Sequence, residues 1–348
     1  MKNIRLQSNK LILTTAIGLL GACSAYALES LPDKAQSPSD NPASATKIEL
    51  GKQLFFDPRL SRDGTVSCNS CHDVHGSGTD NRPVSIGVGG KAGGRSAPTV
   101  WNAAFLSAQF WDGRAASLED QAKGPILNPI EMAMPNEKAA VDRISSIPGY
   151  QQQFAKAFGG KTPVTYDNIA KAIAAYERTL ITPNSPFDRY LKGDKKSLSS
   201  QAKRGMDLVQ SLGCTTCHNG EDFSGPKLPQ GQGFFMRFPT YAGSEYEKKY
   251  NLTADPGRYE ATKNDEDKNM WRVPTWRNVA LTAPYFHNGS VKTLDEAVRV
   301  MARTQLNKTL KDDEVTDIVS FLNSLTGEFP KQSMPRLPMT PNRTTIEE

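Results

Sequence analysis

Two stretches decide the organisation of this chain: Cys68-Asn69-Ser70-Cys71-His72 and Cys214-Thr215-Thr216-Cys217-His218. In each, two cysteines are separated by two residues and followed at once by a histidine. Two such thiols can add to the vinyl groups of a haem, and the adjacent histidine then becomes an axial ligand of the iron. A zinc site or a redox disulfide would not need a histidine at both fifth positions. The pattern therefore predicts two covalently attached c-type haems.

The rarity of histidine makes this pattern specific, because only 4 histidines occur among the 348 residues. Apart from Cys23, every cysteine belongs to one of the two motifs. The motifs begin at Cys68 and Cys214, far enough apart for one haem in each of two domains. We therefore expect two cytochrome c-type domains rather than a row of closely spaced haems.

Apolar periodicity predicts a mainly α fold with long irregular loops. Thr293-Leu294-Asp295-Glu296 is a capping box that begins one of the helices. Glycine clusters in 74–100, prolines in 125–135 and polar residues in 226–272 predict irregular segments. The other helical predictions are 46–55, 137–158 with a break at Pro148, 165–181, 199–211 and 312–325.

The domain boundaries follow from composition and from turn residues. Residues 28–45 are rich in Pro, Ser, Asp and Ala and predict a flexible leader. Pro183-Asn184-Ser185-Pro186 marks the division between the two domains. The predicted parts are a signal peptide at 1–27, the leader at 28–45, the N-terminal domain at 46–185, the C-terminal domain at 186–330 and a frayed tail at 331–348.

The first residues have the pattern of an export signal. Lys2, Arg5 and Lys10 precede an apolar stretch, and Ala25-Tyr26-Ala27 fits ordinary cleavage. Leu20-Gly21-Ala22-Cys23 offers a second site, which would leave Cys23 as a lipid anchor. Removal of 1–27 lowers the formal net charge from +5 to +2, and four haem propionates would make the surface near neutral or slightly acidic. We expect a periplasmic protein that does not bind nucleic acid.

The sixth position of each iron decides what the haem can do, because a strong ligand favours electron transfer and an open position admits a reactant. His75 follows His72 too closely to reach the other haem face. His287 lies in a turn bounded by Pro284 and Gly289. Met301 lies on the apolar face of a predicted helix, where methionine is usually a core residue. The residues alone leave Met301 open between core packing and iron ligation.

Beyond the haem motifs, the chain resembles the bacterial dihaem cytochrome c peroxidases from about residue 46 to residue 328. The resemblance rests on several specific stretches. These are Gly51-Lys52-Gln53-Leu54-Phe55-Phe56-Asp57-Pro58-Arg59-Leu60-Ser61, Ala97-Pro98-Thr99-Val100-Trp101-Asn102, Gln109-Phe110-Trp111-Asp112-Gly113-Arg114-Ala115, Val273-Pro274-Thr275-Trp276-Arg277-Asn278-Val279, Pro284-Tyr285-Phe286-His287-Asn288-Gly289 and Met301.

The resemblance implies different tasks for the two haems. The C-terminal haem, held by His218 and Met301, would be the high-potential centre that accepts electrons. The N-terminal haem, held by His72, would be the low-potential centre where peroxide reacts. Trp111 matches a tryptophan between the haems, where its ring would help electrons to cross.

The resemblance also implies a set of residues around the peroxide. Glu131 matches the acid that moves a proton between the two peroxide oxygens. Gln121 matches a neighbouring glutamine, and Phe110 matches the pocket aromatic. Without the resemblance, Glu131 would be read as a solvated carboxylate and Trp111 as a core aromatic.

Two positions depart from the family pattern. Many members carry a removable histidine ligand in the glycine-rich loop, and Val88 stands at the matching place here. Valine cannot bind iron, so we expect an N-terminal haem that is open without prior reduction. The family also binds Ca²⁺ between the domains. The matching positions are Ser96, Thr282 and Pro284, where Ser96 replaces an asparagine and supplies a weaker ligand.

The implied activity is the reduction of hydrogen peroxide to water, with electrons from a small cytochrome c or a cupredoxin. This reaction would serve to detoxify peroxide. The family also implies a homodimer. Two alternatives remain: a dihaem oxidase of the methylamine dehydrogenase maturation type, and a plain dihaem electron carrier. The maturation-type oxidase has a tyrosine where Met301 stands here. A plain electron carrier would need both irons to be six-coordinate.

Overall fold

The computed structural model describes residues 28–341 and 344–346, and within them the protein is mainly helical. The predicted signal peptide and Cys23 lie outside the described residues. The helices are α1 Ala45–Phe56, α2 Cys68–Cys71, α3 Leu118–Leu127, α4 Glu137–Ser145, α5 Pro148–Phe158, α6 Tyr166–Glu177, α7 Pro186–Leu191, α8 Ser200–Ser211, α9 Glu245–Lys249, α10 Tyr259–Thr262, α11 Leu294–Leu306 and α12 Asp312–Asn323.

Two helix pairs form the frame of the fold, and a glycine lies at the crossing of each pair. Helix α1 packs on α6, and a Cβ at Gly51 would lie 1.8 Å from the Ala172 carbonyl oxygen. Helix α8 packs on α12, and a Cβ at Gly205 would lie 2.0 Å from the Asp317 carbonyl oxygen. Only glycine allows backbones to approach so closely. Each CxxCH motif follows the first helix of its pair.

The hydrophobic core likewise divides into an N-terminal part and a C-terminal part. One cluster includes Leu54, Trp101 and Ile173 and is built from residues between Leu50 and Leu180. Two further clusters lie in the C-terminal half, one around Phe187, Phe223 and Phe321 and one around Trp271 and Val300. Burial of these aromatic and aliphatic side chains supplies most of the stabilisation of the fold.

A pair of matching turns joins the two halves. Asn102 and Asn278 both adopt left-handed conformations, with φ of 65° and 59°. Each donates from Nδ2 to the buried Thr182 Oγ1 at 2.8 Å. The Asn102 side chain also accepts from the Thr182 backbone N–H at 2.8 Å. This hydrogen-bonded junction lies directly before the Pro183–Pro186 boundary, and its buried polar groups are satisfied.

Most long helices were predicted, and one important helix was not. The break at Pro148 is confirmed, since α4 ends at Ser145 and α5 begins at Pro148. The predicted irregular stretch around Pro125 was wrong, because α3 runs from Leu118 to Leu127 with Pro125 inside it. The side chain of Ser117 caps α3 by accepting from the Asp120 N–H. A cap of this kind can begin a helix that later contains proline.

The strand content is small, as expected. Within the described residues, β1 Phe235–Arg237 pairs antiparallel with β2 Met270–Arg272, with Met236 opposite Trp271. The 226–272 segment was predicted to be irregular, but besides these strands it contains the short helices α9 and α10. No helix in the described ranges combines the length and apolar character that a bilayer crossing requires.

The leader and the tail pack more closely than predicted. Leu31 is buried, and its N–H donates to Asp188 Oδ1 at 3.0 Å. Asn41 is also buried and donates to Glu119 Oε1. In the tail, Gln332 accepts from the Tyr176 hydroxyl at 3.0 Å. The predicted flexibility of 28–45 and fraying of 331–348 were wrong in these places, because composition does not reveal partners elsewhere in the fold.

Candidate haem-binding and peroxide site

Each CxxCH histidine is held by a hydrogen bond to a backbone carbonyl. His72 Nδ1 lies 3.0 Å from the Pro98 oxygen, and His218 Nδ1 lies 3.0 Å from the Phe223 oxygen. A histidine that ligates a metal commonly donates its other ring N–H in this way, which fixes the ring and leaves Nε2 for the metal. The two motifs therefore present the same ligand geometry.

The electrostatic surroundings favour neutral imidazoles at both motifs. Burial lowers the pKa of His218 to about 4, and burial also lowers the pKa of His72. His218 stacks on Trp276 with ring centroids 4.3 Å apart. Neutral imidazole is the form that binds a transition metal. These residues fit a haem iron.

A cavity of about 530 Å³ lies beside the second motif, within the size range of cofactor pockets. Its walls are mostly apolar and include Cys214, Cys217 and His218. Met301 on α11 lines the same cavity and packs against the cluster around Trp271. The sequence left Met301 open between core and ligand, and the fold places its side chain at the wall of the haem-sized space.

The first motif lies close to the predicted acid Glu131. Burial raises the pKa of the Cys68 and Cys71 thiols, and the charge of Glu131 adds to the effect at both. Burial also raises the pKa of Glu131 itself, against the opposing effects of Arg114 and of a hydrogen bond from Asn128. That bond joins Asn128 Nδ2 to Glu131 Oε1 at 2.7 Å. A carboxyl with a raised pKa holds its proton more strongly, which suits a group that passes a proton between two oxygens.

The other predicted peroxide-site residues lie on or around α3, the helix that the sequence did not predict. Gln121 is on α3, and Phe110 approaches Gly124 of the same helix. The Arg114 guanidinium lies 3.5 Å from the centre of the Phe110 ring. Helix α3 thus carries Gln121 and reaches toward Phe110, and Glu131 follows shortly after it.

Val88 lies next to Glu131 rather than out in a mobile loop. Its N–H donates to the Glu131 carbonyl oxygen at 2.9 Å, and its side chain is buried in the N-terminal cluster. A Cβ at Gly87 would lie 1.9 Å from the Ile130 carbonyl oxygen, so glycine is required there. The fold therefore places an apolar side chain at the position for which the family pattern gives a histidine.

Trp111 connects the two halves of the molecule. Its indole Nε1 donates to the Ser96 carbonyl oxygen at 2.8 Å, while its ring packs in the cluster around Trp271 and lines the C-terminal cavity. Its carbonyl oxygen accepts from the Arg272 N–H. A residue of the N-terminal half is thus built into the wall of the C-terminal pocket.

The three predicted calcium positions border the same cavity, but their ligand set is weak. Ser96, Thr282 and Pro284 all line the C-terminal cavity. The Ser96 hydroxyl lies 3.4 Å from the Arg82 carbonyl oxygen, and Asn81 donates to the carbonyls of Leu281 and Ala283. No cluster of three or more His, Cys, Asp or Glu side chains suited to a metal occurs among the described residues. A hydroxyl and carbonyls without a carboxylate hold Ca²⁺ loosely.

His75 and His287 differ in their surroundings. The His75 side chain is exposed and packs edge-on against Phe56. His287 is buried, lines the C-terminal cavity and stacks on Trp271 at 4.1 Å, and its Nε2 has no hydrogen-bond partner. Burial lowers its pKa to about 4. No role for His287 was predicted from sequence, although its turn repeats the turn of Trp111.

The repeated turn is visible in the backbone. Phe110 and Phe286 have φ of 68° and 69°, and isolated bridges close the two turns in the same way. Trp111 and His287 follow these phenylalanines directly. A comparison of Gln109–Ala115 with Tyr285–Val291 in the sequence could have found this equivalence.

Sequence and structure comparisons agree on the relationship of this chain. The family model for di-haem cytochrome c peroxidase matches residues 45–196. The cytochrome c551 peroxidase of Pseudomonas aeruginosa is 46% identical over 316 residues, which cover 90% of this chain and 88% of that protein. The methylamine utilization protein MauG of Methylorubrum extorquens is 32% identical over 88% of this chain and 86% of that protein.

Among solved structures, a MauG-like protein associated with microbial copper homeostasis has a TM-score of 0.74 and 31% identity, covering 86% of this chain and 95% of that one. The identity to the peroxidase is the higher of the two curated comparisons and extends over nearly the whole chain. Both haem motifs and the fold around them are consistent with these matches. The chain therefore belongs to the di-haem cytochrome c peroxidase family.

Proposed function

We propose that the protein is an exported di-haem peroxidase that reduces H2O2 with two electrons and two protons to two molecules of water. The two haems would be held by Cys68, Cys71 and His72 and by Cys214, Cys217 and His218. Once bound, they supply a coordination position for peroxide and the one-electron steps of oxidation and reduction. The chain's own residues determine which haem reacts with peroxide and which haem accepts electrons.

One observation carries the proposal: equivalent helices present different side chains to the two pockets. Ser117 caps α3 and Thr293 caps α11 in the same way, each accepting from the N–H three residues later. Eight residues after the cap, α11 has Met301 and α3 has Pro125. A thioether can ligate iron and proline cannot. This asymmetry supports a closed, electron-accepting C-terminal haem and an open N-terminal haem.

The residues around the open side supply proton transfer. Glu131 is held by Asn128 and has a raised pKa caused by burial, so that it can take a proton from one peroxide oxygen and return it to the other. Gln121 and Phe110 would orient the peroxide and limit the access of water. Trp111 would provide the aromatic contact through which electrons from the C-terminal pocket reach the N-terminal one.

Val88 leads to a specific proposal about activation. Because valine cannot ligate iron and is packed beside Glu131, we expect the all-ferric protein to react with peroxide. The test is to add H2O2 to the fully oxidised protein and follow its optical and EPR spectra. A prompt spectral change is expected in the wild type. Val88→His should slow or abolish it until the protein is first reduced, and an unreactive, six-coordinate wild type would contradict the proposal.

The proposed partners are an electron donor, a second copy of the chain and Ca²⁺. The electron donor would be a small periplasmic cytochrome c or a cupredoxin, and the protein would act as a homodimer released by cleavage after Ala27. Ser96, Thr282 and Pro284 would bind Ca²⁺. Donor oxidation assays with purified cytochrome and cupredoxin, light scattering and the mass of the exported chain test these points separately.

The alternative activities give different results in the same preparation. A plain electron carrier would consume no peroxide in the presence of a reduced donor. A protein-modifying oxidase would need a protein substrate and would not turn over with peroxide and a small donor alone. Sustained, donor-dependent loss of H2O2 is therefore the result that separates the proposed peroxidase from both alternatives.

A further inference from the structure

The two helix pairs provide a way to align the pockets residue by residue. A Cβ at Gly51 would lie 3.1 Å from Tyr176 Cβ on α6, and a Cβ at Gly205 would lie 2.9 Å from Phe321 Cβ on α12. The two crossings therefore match Tyr176 with Phe321. The next residue along each helix is Glu177 in the N-terminal half and Leu322 in the C-terminal half.

The position of Leu322 indicates which way the matching Glu177 faces. Leu322 lines the C-terminal cavity together with Cys214 and His218. By the alignment of the helices, Glu177 faces the corresponding pocket of the first haem motif. Its nearness to that motif has independent support. Burial raises the pKa of Cys68, and the charge of Glu177 adds more to that rise than any other charge.

Glu177 is an unusual residue to find at this position. Its side chain is buried with 5% of its surface exposed, and Oε2 has no hydrogen-bond partner. Burial raises its pKa to about 8, with Arg178 opposing and Glu119 adding to the rise. Arg178 cannot neutralise it well, because both of its terminal nitrogens bind Glu119, at 2.6 and 2.8 Å. A buried, unpaired carboxyl is costly and often marks a functional group.

We propose that Glu177 is an acid–base group of the N-terminal haem pocket, which takes up one proton from solvent when that haem accepts one electron. The proton returns to solvent when the electron leaves, so charge is conserved in each direction. Leu322, at the matching position of the C-terminal half, cannot do this. This inference rests on the haem-binding part of the proposed function and not on peroxide turnover.

The physical reason is the change in charge at the iron. Reduction removes one positive charge from the haem, so a neighbouring carboxylate is stabilised less and its proton affinity rises. Between the two resulting pKa values of Glu177, for ferric and ferrous haem, the reduction equilibrium falls tenfold for each unit rise in pH. For one electron this equals about 59 mV per pH unit. At lower pH, Glu177 stays protonated and its effect disappears.

The experiment is to measure the reduction potential of each haem by optical spectroelectrochemistry across the pH range of stability. The variants are Glu177→Gln, which keeps the size and removes the charge, and Glu177→Leu, which copies the C-terminal pocket. Glu137→Gln is the matched control, because it removes a carboxyl at the exposed start of α4, outside the haem pocket. Haem content and circular dichroism show that each variant is folded and loaded.

The expected result is specific to one haem and one residue. In wild type and in Glu137→Gln, the N-terminal potential falls with rising pH over part of the range. In both Glu177 variants that dependence flattens and the potential at high pH rises, while the C-terminal potential keeps its wild-type behaviour. If the Gln variant does not load haem, the Leu variant provides the same test.

The inference is overturned if the N-terminal potential of the Glu177 variants follows wild type at every pH. It is also overturned if both haems change equally, which would indicate a general structural effect. Peroxide consumption measured in parallel separates the two proposals. A potential that depends on Glu177 in a protein without peroxide turnover would refute the peroxidase and leave this inference standing.

Discussion

The N-terminal and C-terminal halves share a frame and differ in the side chains that the frame presents. Both have a glycine at the crossing of two helices, a CxxCH motif held by a backbone carbonyl and a left-handed asparagine bonded to Thr182. At matching positions, however, the C-terminal half has Met301 and Leu322 while the N-terminal half has Pro125 and Glu177. The two halves therefore share one repeated frame and differ through a few pocket residues.

The largest expected effect comes from removing the acid that only the N-terminal pocket carries. Glu131→Gln keeps the acceptor for Asn128 but cannot take up a proton, so peroxide turnover should fall by about 10²- to 10⁴-fold. Donor-coupled H2O2 consumption measures this. Glu137→Gln, at the exposed start of α4, is the matched control and should keep full activity. Loss of less than threefold in Glu131→Gln would remove Glu131 from the mechanism.

The next largest effect tests the proposed closed haem site in the C-terminal half. Met301→Leu conserves volume, so the fold should be retained, but the C-terminal iron would lose its proposed sulfur ligand. Because axial ligands set haem potentials over a range of about 0.8 V and methionine raises them, the C-terminal potential should fall. Spectroelectrochemistry and EPR measure the change. Met206→Leu, on α8 in the same half and packed in its core, should leave both spectra as in wild type.

A smaller effect tests the shared frame itself. Gly51→Ala and Gly205→Ala both force a Cβ against a carbonyl oxygen, and each should lower the free energy of unfolding by about 1–3 kcal/mol. Denaturant unfolding of the haem-loaded protein, followed at the haem absorbance, measures the loss. Gly94→Ala, where no atom lies within 4 Å, is the control. A large loss for one glycine alone would break the equivalence of the two crossings.

The smallest effect concerns the proposed calcium ligands between the halves. Ser96→Asn would replace a hydroxyl with a carboxamide oxygen and should tighten Ca²⁺ binding by about tenfold, equivalent to 1.4 kcal/mol. Isothermal titration of chelator-treated protein measures the affinity, with Mg²⁺ as the comparison ion. Equal binding by wild type and variant would show that Ser96 does not face the ion.

The sequence predicted the elements that have a local signature. The helices that became α1, α5, α6, α8 and α12 were visible in apolar periodicity, and Thr293 marked the start of α11. Helix α3 was missed because Pro125 and the surrounding prolines resemble an irregular segment, although the Ser117 cap begins a helix. The packing of Leu31 and Gln332 was missed because their partners lie far away in the chain.

For the site, sequence alone predicted the four attachment cysteines and both histidine ligands, because covalent haem attachment needs these residues at fixed spacing. The peroxide-site residues came from family resemblance, since a single carboxylate such as Glu131 has no distinguishing spacing. Glu177 gave no signal at all. Its importance depends on burial and on its equivalence to Leu322, which both require the helix crossings to be known.

The sequence by itself determined the mainly helical class, the two haem motifs and the family, because these follow from local patterns of side chains. Only the tertiary structure decided that Met301 shares a cavity with His218, that Val88 packs beside Glu131 and that Glu177 is buried without a partner. The physical reason is that burial and proximity arise from contacts between distant segments, and these contacts set the pKa values and ligands on which the chemistry depends.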